Sequence, residues 1–155
     1  MIMQTFLPRA GFWSTARVLD NKRLGKQRVE CKQILLALGI DVGDHPGNPE
    51  SRWRNHPAVR MWAGYGVHLA EYAYIMCRQW QARGFRDTLA EQFRHLIPQL
   101  PNGPSPNWLG YDRLHASHRS NLLRKDPSHY GQFGWQESPD LAYFWPPERQ
   151  QKVFS

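Results

Sequence analysis

The chain is poor in cysteine, has no long apolar run, and lacks the glycine-rich and nucleophile motifs of the commonest enzyme classes. Its two cysteines, Cys31 and Cys77, both sit in helix-like apolar patterns and read as reduced core residues, not a disulfide framework. No hydrophobic stretch approaches the roughly 20 residues that span a bilayer. Met1 to Ala10 lacks the basic-then-apolar layout of a signal peptide, so a cytoplasmic protein is expected. There is no phosphate-cradling loop of the P-loop or dinucleotide type and no GxSxG nucleophile elbow. His115, His118 and His129 are the only grouped metal-type donors; without a CxxC pair or an HExxH motif, no metal and no organic cofactor are expected. Acid is scarce as well: 13 Asp and Glu stand against 20 Lys and Arg, a formal charge of +7.

What remains is a basic, aromatic-rich chain of 155 residues, 41% hydrophobic and 13% aromatic, enough for one domain with a real core. The excess of positive charge points to a polyanionic partner, because neutralising phosphates releases counterions. Strand signals are weak throughout. The spacing predicts a mainly α, compact single domain over residues 1–155, with three main helices joined by long aromatic- and proline-rich loops.

The first long helix is expected from about Asp20, a suitable N-cap, to about Leu38, before Gly39. Leu24, Cys31, Leu35 and Leu38 form its apolar stripe, and Arg23, Lys26, Gln27 and Glu30 a polar one. Gly25 in mid-helix, unfavourable by about 1 kcal/mol against alanine, signals the close approach of another backbone, from protein or ligand. A second helix is expected from Asn55 or His56, with Pro57 in its first turn, to about Ala82, and a short one from about Asp87 to Leu96. A third long helix should run from Asp112 to Lys125, stopped before Pro127. The tail from Tyr130 should wrap the helices as an aromatic extended segment.

Two places can carry chemistry. Glu30 is a single carboxylate among Lys22, Arg23, Lys26, Gln27 and Arg28, and such neighbours should hold it ionised. On DNA the cations would face phosphates while Glu30 faced the sugar, stabilising positive charge at the glycosidic carbon or moving protons during base release. The same spacing also fits a solvated helix face with internal ion pairs. The second place is the basic segment from His115 to Tyr130, where Arg119, Arg124 and Lys125 with Ser117 and Ser120 offer phosphate donors. His118 taken alone reads rather as a satisfied core histidine. Of the tryptophans in presumed loops, most should be core, with one or two lining a pocket.

Three stretches together resemble the pyrimidine-dimer DNA glycosylase (endonuclease V, pyrimidine excision) family: LDNKRLGKQRVE (Leu19–Glu30), NHPAVRMW (Asn55–Trp62) running on to RGF (Arg83–Phe85), and HASHRSNLLRKDPSHY (His115–Tyr130). The resemblance implies a helical domain that acts on double-stranded DNA carrying a damaged or modified pyrimidine, with no cofactor and as a monomer. It implies Glu30 as the catalytic glutamate and Arg119 and Tyr130 as positions of the DNA-contacting stretch; His56, Arg60, His115, His118, Asn121, Arg124 and Lys125 are further candidate DNA contacts. It also implies the chain's α-amine, here that of Met1, as nucleophile at the sugar C1′, followed by an imine and strand cleavage by β-elimination. The family's nucleophile is a small residue exposed by loss of the initiator methionine. Here neither Ile2 nor Gln4 favours removal of the methionine before it, so the amine could belong to a retained Met1 or to a start at Met3, or water activated by Glu30 could replace it. A nucleic-acid-binding module without catalysis, a base-hypermodifying enzyme and a structural protein with an acidic partner are the other readings.

Overall fold

A computed structural model describes residues 3–147; the α-amine assigned to Met1 lies outside them. Seven helices occur among the described residues: α1 (Phe12–Val18), α2 (Asn21–Ala37), α3 (Pro57–Arg60), α4 (Gly66–Ala82), α5 (Ala90–Leu96), α6 (Asp112–Lys125) and α7 (Pro127–Tyr130). There is no strand among them, only an isolated bridge between Val42 and His45. The fold is therefore mainly α, as the weak strand signal predicts.

α2 and α6 fall where their periodicity places them. In α2 the stripe of Leu24, Cys31 and Leu35 is fully buried. Asp20 is its N-cap residue but makes no side-chain cap. Its carboxylate instead takes hydrogen bonds from the Tyr130 hydroxyl and from Arg23. Burial works against ionisation of Asp20, but those two donors outweigh it and hold the carboxyl below its usual range.

The long helix expected from Asn55 to Ala82 is interrupted. The single turn α3 is followed by turns over 61–65, in which Gly64 adopts φ +83°, and α4 starts at Gly66. A left-handed residue breaks the ladder of i→i−4 bonds, and glycine adopts it without strain. The break swings Trp62 inward, fully buried, against Tyr72 and Trp108. α4 is then the scaffold on which α1, α2 and α5 pack.

Gly25 is explained by a side chain, not a backbone. A Cβ there would lie 2.9 Å from the Trp80 indole, so the glycine lets α4's last turn lay its tryptophan on α2.

The segment Met3–Leu7 crosses the interior in extended form, each residue nine-tenths or more buried. It has no strand partner, so side chains satisfy its backbone. The amides of Gln4, Phe6 and Leu7 donate to Glu30, Gln27 and His118 at 2.8–3.0 Å. The carbonyls of Gln4 and Leu7 meet Gln27 Nε2 and His115 Nδ1, and Pro8 O takes a bond from Arg119. The Tyr72 hydroxyl lies 2.6 Å from Phe6 O.

Candidate active site

This threading decides where the polar faces of α2 and α6 point. Gln27 is fully buried; its amide is a two-sided clamp on Phe6 and Gln4. His118 accepts the Leu7 N–H through Nδ1, which requires a neutral ring. Burial, then repulsion by His115 and Arg119, pushes its pKa down to about 3. His115 accepts the Gly110 N–H through Nε2, so its Nδ1–H donates to Leu7 O; burial lowers its pKa too. Arg119 bridges Pro8 O and the Glu137 carboxylate, 2.9 Å each. Asn121 donates to Ser117 O and Leu141 O, and Arg124 to Pro139 O and the Asn121 carbonyl. Much of the polar face of α6 thus straps the tail, residues 137–144, onto the domain.

The remaining residues picked from the sequence lie apart from one another. His56 caps α3, accepting the Ala58 N–H, and sits edge-on to Trp53 and Trp145. Arg60 is an exposed residue of the same turn. Tyr130 is buried on Asp20 and stacks on Trp135. Arg28 pairs with the buried carboxylate of Asp87 at 2.8 Å and lies 4.9 Å over the Trp80 ring. Lys22, Arg23, Lys26, Gln27, Glu30 and Lys125, by contrast, converge. With Phe6 they line a recess of about 210 Å³.

Glu30 is its floor and only carboxylate, 6% exposed. Surrounding cations suggest a carboxylate held ionised, but the structure reverses the sign. Burial raises the Glu30 pKa, and the Gln4 N–H bond and the charge of Lys26 offset this only in part. The Lys125 ammonium is pushed the other way, first by burial and then by Arg23, Arg124, Lys26 and Lys22. A carboxyl that holds its proton more tightly, beside a crowd of cations, can exchange a proton with a leaving group and stabilise an adjoining phosphodiester.

A second recess, of about 450 Å³, adjoins the first. The two share Lys22, Lys26 and Glu30, and Trp80, Gly25, Val29 and Gln33 help to wall the larger one. Sequence reading singled out none of Trp80, Gln33, Tyr72 and Tyr143 for the site. Only the mid-helix Gly25 hinted at the indole above it. Tyr143 packs against Phe6 and His118, and burial, reinforced by Glu30, raises its pKa to about 12 although Arg124 and Arg23 oppose this.

Among the described residues, no group of three or more His, Cys, Asp or Glu is placed to hold a metal ion, and no helix is long and apolar enough to cross a membrane. No curated protein and no solved structure matches the chain significantly. A family model described as pyrimidine dimer DNA glycosylase matches residues 3–92, which takes in the buried N-terminal segment, α2 with Glu30, and α4 with Trp80. The chain belongs to the pyrimidine dimer DNA glycosylase family.

Proposed function

We propose that the protein excises a damaged or modified pyrimidine from duplex DNA, with Glu30 as its catalytic carboxyl. The observation that carries this reading is a buried glutamate with a raised pKa at the floor of a recess lined by Lys22, Lys26 and Lys125. The lysines hold the backbone phosphates, the small recess receives the sugar, and Glu30 exchanges the proton that lets the base depart from C1′. Gln4's amide N–H lies 3.0 Å from the same carboxylate. The N-terminal segment is thus fixed beside the proposed catalytic carboxyl, which supports an amine nucleophile over water. Attack of the amine at C1′ expels the base. Ring opening then gives an imine, and β-elimination cleaves the strand.

Incubation with ultraviolet-irradiated and untreated duplexes, with borohydride present, tests the reading. Base release on irradiated DNA with a trapped covalent adduct, lost in Glu30→Gln, is the expected result. Base release without adduct replaces the amine by water. No release from irradiated DNA or from duplexes bearing other modified pyrimidines, with binding intact, refutes catalysis and leaves a DNA-binding module.

A further inference from the structure

Strand cleavage by the proposed route needs two proton transfers besides the one that frees the base. The sugar ring opens when O4′ gains a proton, and β-elimination proceeds when C2′ loses one. Both atoms belong to the sugar, so the group that serves them must face the small recess. The lining of that recess narrows the choice. Lys22, Arg23, Lys26, Gln27 and Glu30 all stand on α2, and Phe6 on the buried N-terminal segment. Lys125, the last residue of α6, enters the lining from another helix, so a sugar seated there lies between the Glu30 face of α2 and the end of α6. Lys22 and Lys26 also border the larger recess, whereas Lys125 borders the small one and not the larger. Arg23 is held by Asp20 at 3.2 Å and, as a guanidinium, keeps its protons. A lysine ammonium can give a proton up and take it back. Partial burial, then the charges of Arg23, Arg124, Lys26 and Lys22, make that of Lys125 readier to do so.

We infer that Lys125 is the acid–base residue of strand cleavage, giving a proton to O4′ as the sugar opens and then taking one from C2′. The inference rests on the glycosylase reading of the recess and divides the labour within it: Glu30 serves the departing base, Lys125 the sugar. In the first step the C1′–O4′ bond breaks, and its electron pair takes a proton from Lys125 Nζ while the lone pair of the attacking amine forms the imine. Lys125 is then a neutral amine. In the second step it removes the C2′ proton, and the C–H pair becomes, by way of the enamine, the C2′=C3′ double bond. The C3′–O3′ bond breaks, and the phosphate leaves with its pair. Lys125 is an ammonium again, so the cycle balances without a co-reactant.

Single-turnover reactions on ultraviolet-irradiated duplex, with wild type, Lys125→Arg and Lys125→Gln, test the assignment. Alkali reveals every excised site, whereas untreated samples show only the strands that the protein itself has cut. Arginine keeps the positive charge without an exchangeable proton, and glutamine keeps neither. Lys125 is exposed at the end of α6, so both variants should fold. In wild type, cutting should keep pace with excision. In Lys125→Arg it should lag excision by about 100-fold, the scale of a positioned acid–base group, so that uncut, alkali-labile sites accumulate. Lys125→Gln should show the same lag on top of weaker binding. A ratio of cutting to excision that stays at the wild-type value in both variants overturns the role, because a lysine that only holds phosphate slows the two steps together. Loss of excision and of the borohydride adduct in both variants overturns it as well, by making Lys125 the nucleophile. If wild type excises and never cuts, the glycosylase reading stands and the role of Lys125 falls. If wild type excises nothing, a duplex with a preformed abasic site supplies the sugar directly, and the rates at which the three proteins cut it decide the role; no cutting by wild type refutes it.

Discussion

Replacing His118 by asparagine separates the hydrogen bond that anchors the N-terminal segment from the titration that threatens it. The asparagine Oδ1 stands where His118 Nδ1 accepts the Leu7 N–H, 2.8 Å away, and cannot be protonated in the working range. In the wild type, the folded ring takes up a proton only near pH 3, against 6.5 for the free side chain. Between those values the unfolded chain binds a proton that the folded chain does not, so this group's stability is present above pH 6.5 and is lost as pH falls. The loss is about 1.4 kcal/mol per pH unit, or about 2.7 kcal/mol from pH 6.5 to 4.5. His115 acts in the same direction and Glu30 in the opposite one, but both remain in the variant and cancel in the comparison. Urea unfolding followed by tryptophan fluorescence at pH 7.5 and 4.5 gives the two gaps in stability between wild type and His118→Asn. The smaller side chain makes the variant less stable at pH 7.5, and the gap should close by about 2.7 kcal/mol at pH 4.5. An equal gap at both pH values refutes the neutral-histidine anchor.

Removing the charges of Lys22, Lys26 and Lys125 together should lower the slope of log affinity against log salt by about 2.7, at about 0.9 per phosphate contact, with the thermal midpoint nearly unchanged; binding isotherms at several salt concentrations check this. Arg119→Ala should do the reverse, lowering stability by about 2 kcal/mol through loss of the Pro8 and Glu137 bonds while leaving the salt slope alone. Glu30→Gln should abolish base release yet melt higher than wild type at pH 7, since the raised pKa makes the ionised form a burden on the fold. The sign follows from linkage: Glu30 favours the folded state below its free value of 4.5 and loses that benefit as pH rises, so the variant's advantage should vanish below about pH 4.5.

The helices were legible because their signals are local. Apolar spacing set α2 and α6 almost to the residue, and Pro127 marked the end of α6. The interruption between α3 and α4 was not legible, because an isolated glycine such as Gly64 is tolerated inside a helical pattern and does not by itself mark a break. With the backbone turned there, Trp62 packs in the core against Tyr72 and Trp108, a tertiary contact. α1 escaped notice because its seven residues carry too little periodicity to stand out from a loop.

The polar residues divide for a related reason. Composition marks Gln27, His115, His118, Arg119 and Lys26 alike as hydrophilic, and a helix face of such residues reads as a surface for phosphate. The buried segment Met3–Leu7 changes their meaning, since an extended chain without a strand partner must find its donors and acceptors among side chains. Most of the hydrophilic positions on α2 and α6 that reach inward serve this segment. The lysines that reach outward are left for a polyanion. Glu30 belongs to both sets, bonded to the segment on one side and open to the lysine recess on the other. That double duty also accounts for its pKa: the burial that lets it meet Gln4 outweighs the cations that share its recess. A change that loosened the segment, such as protonation of His118, would then lower the Glu30 pKa by admitting water, so the acidity of Glu30 and the docking of the N-terminal segment should shift together. A pH–rate profile of His118→Ala, whose upper limb reports the protonated Glu30 carboxyl, should move to lower pH than that of His118→Asn.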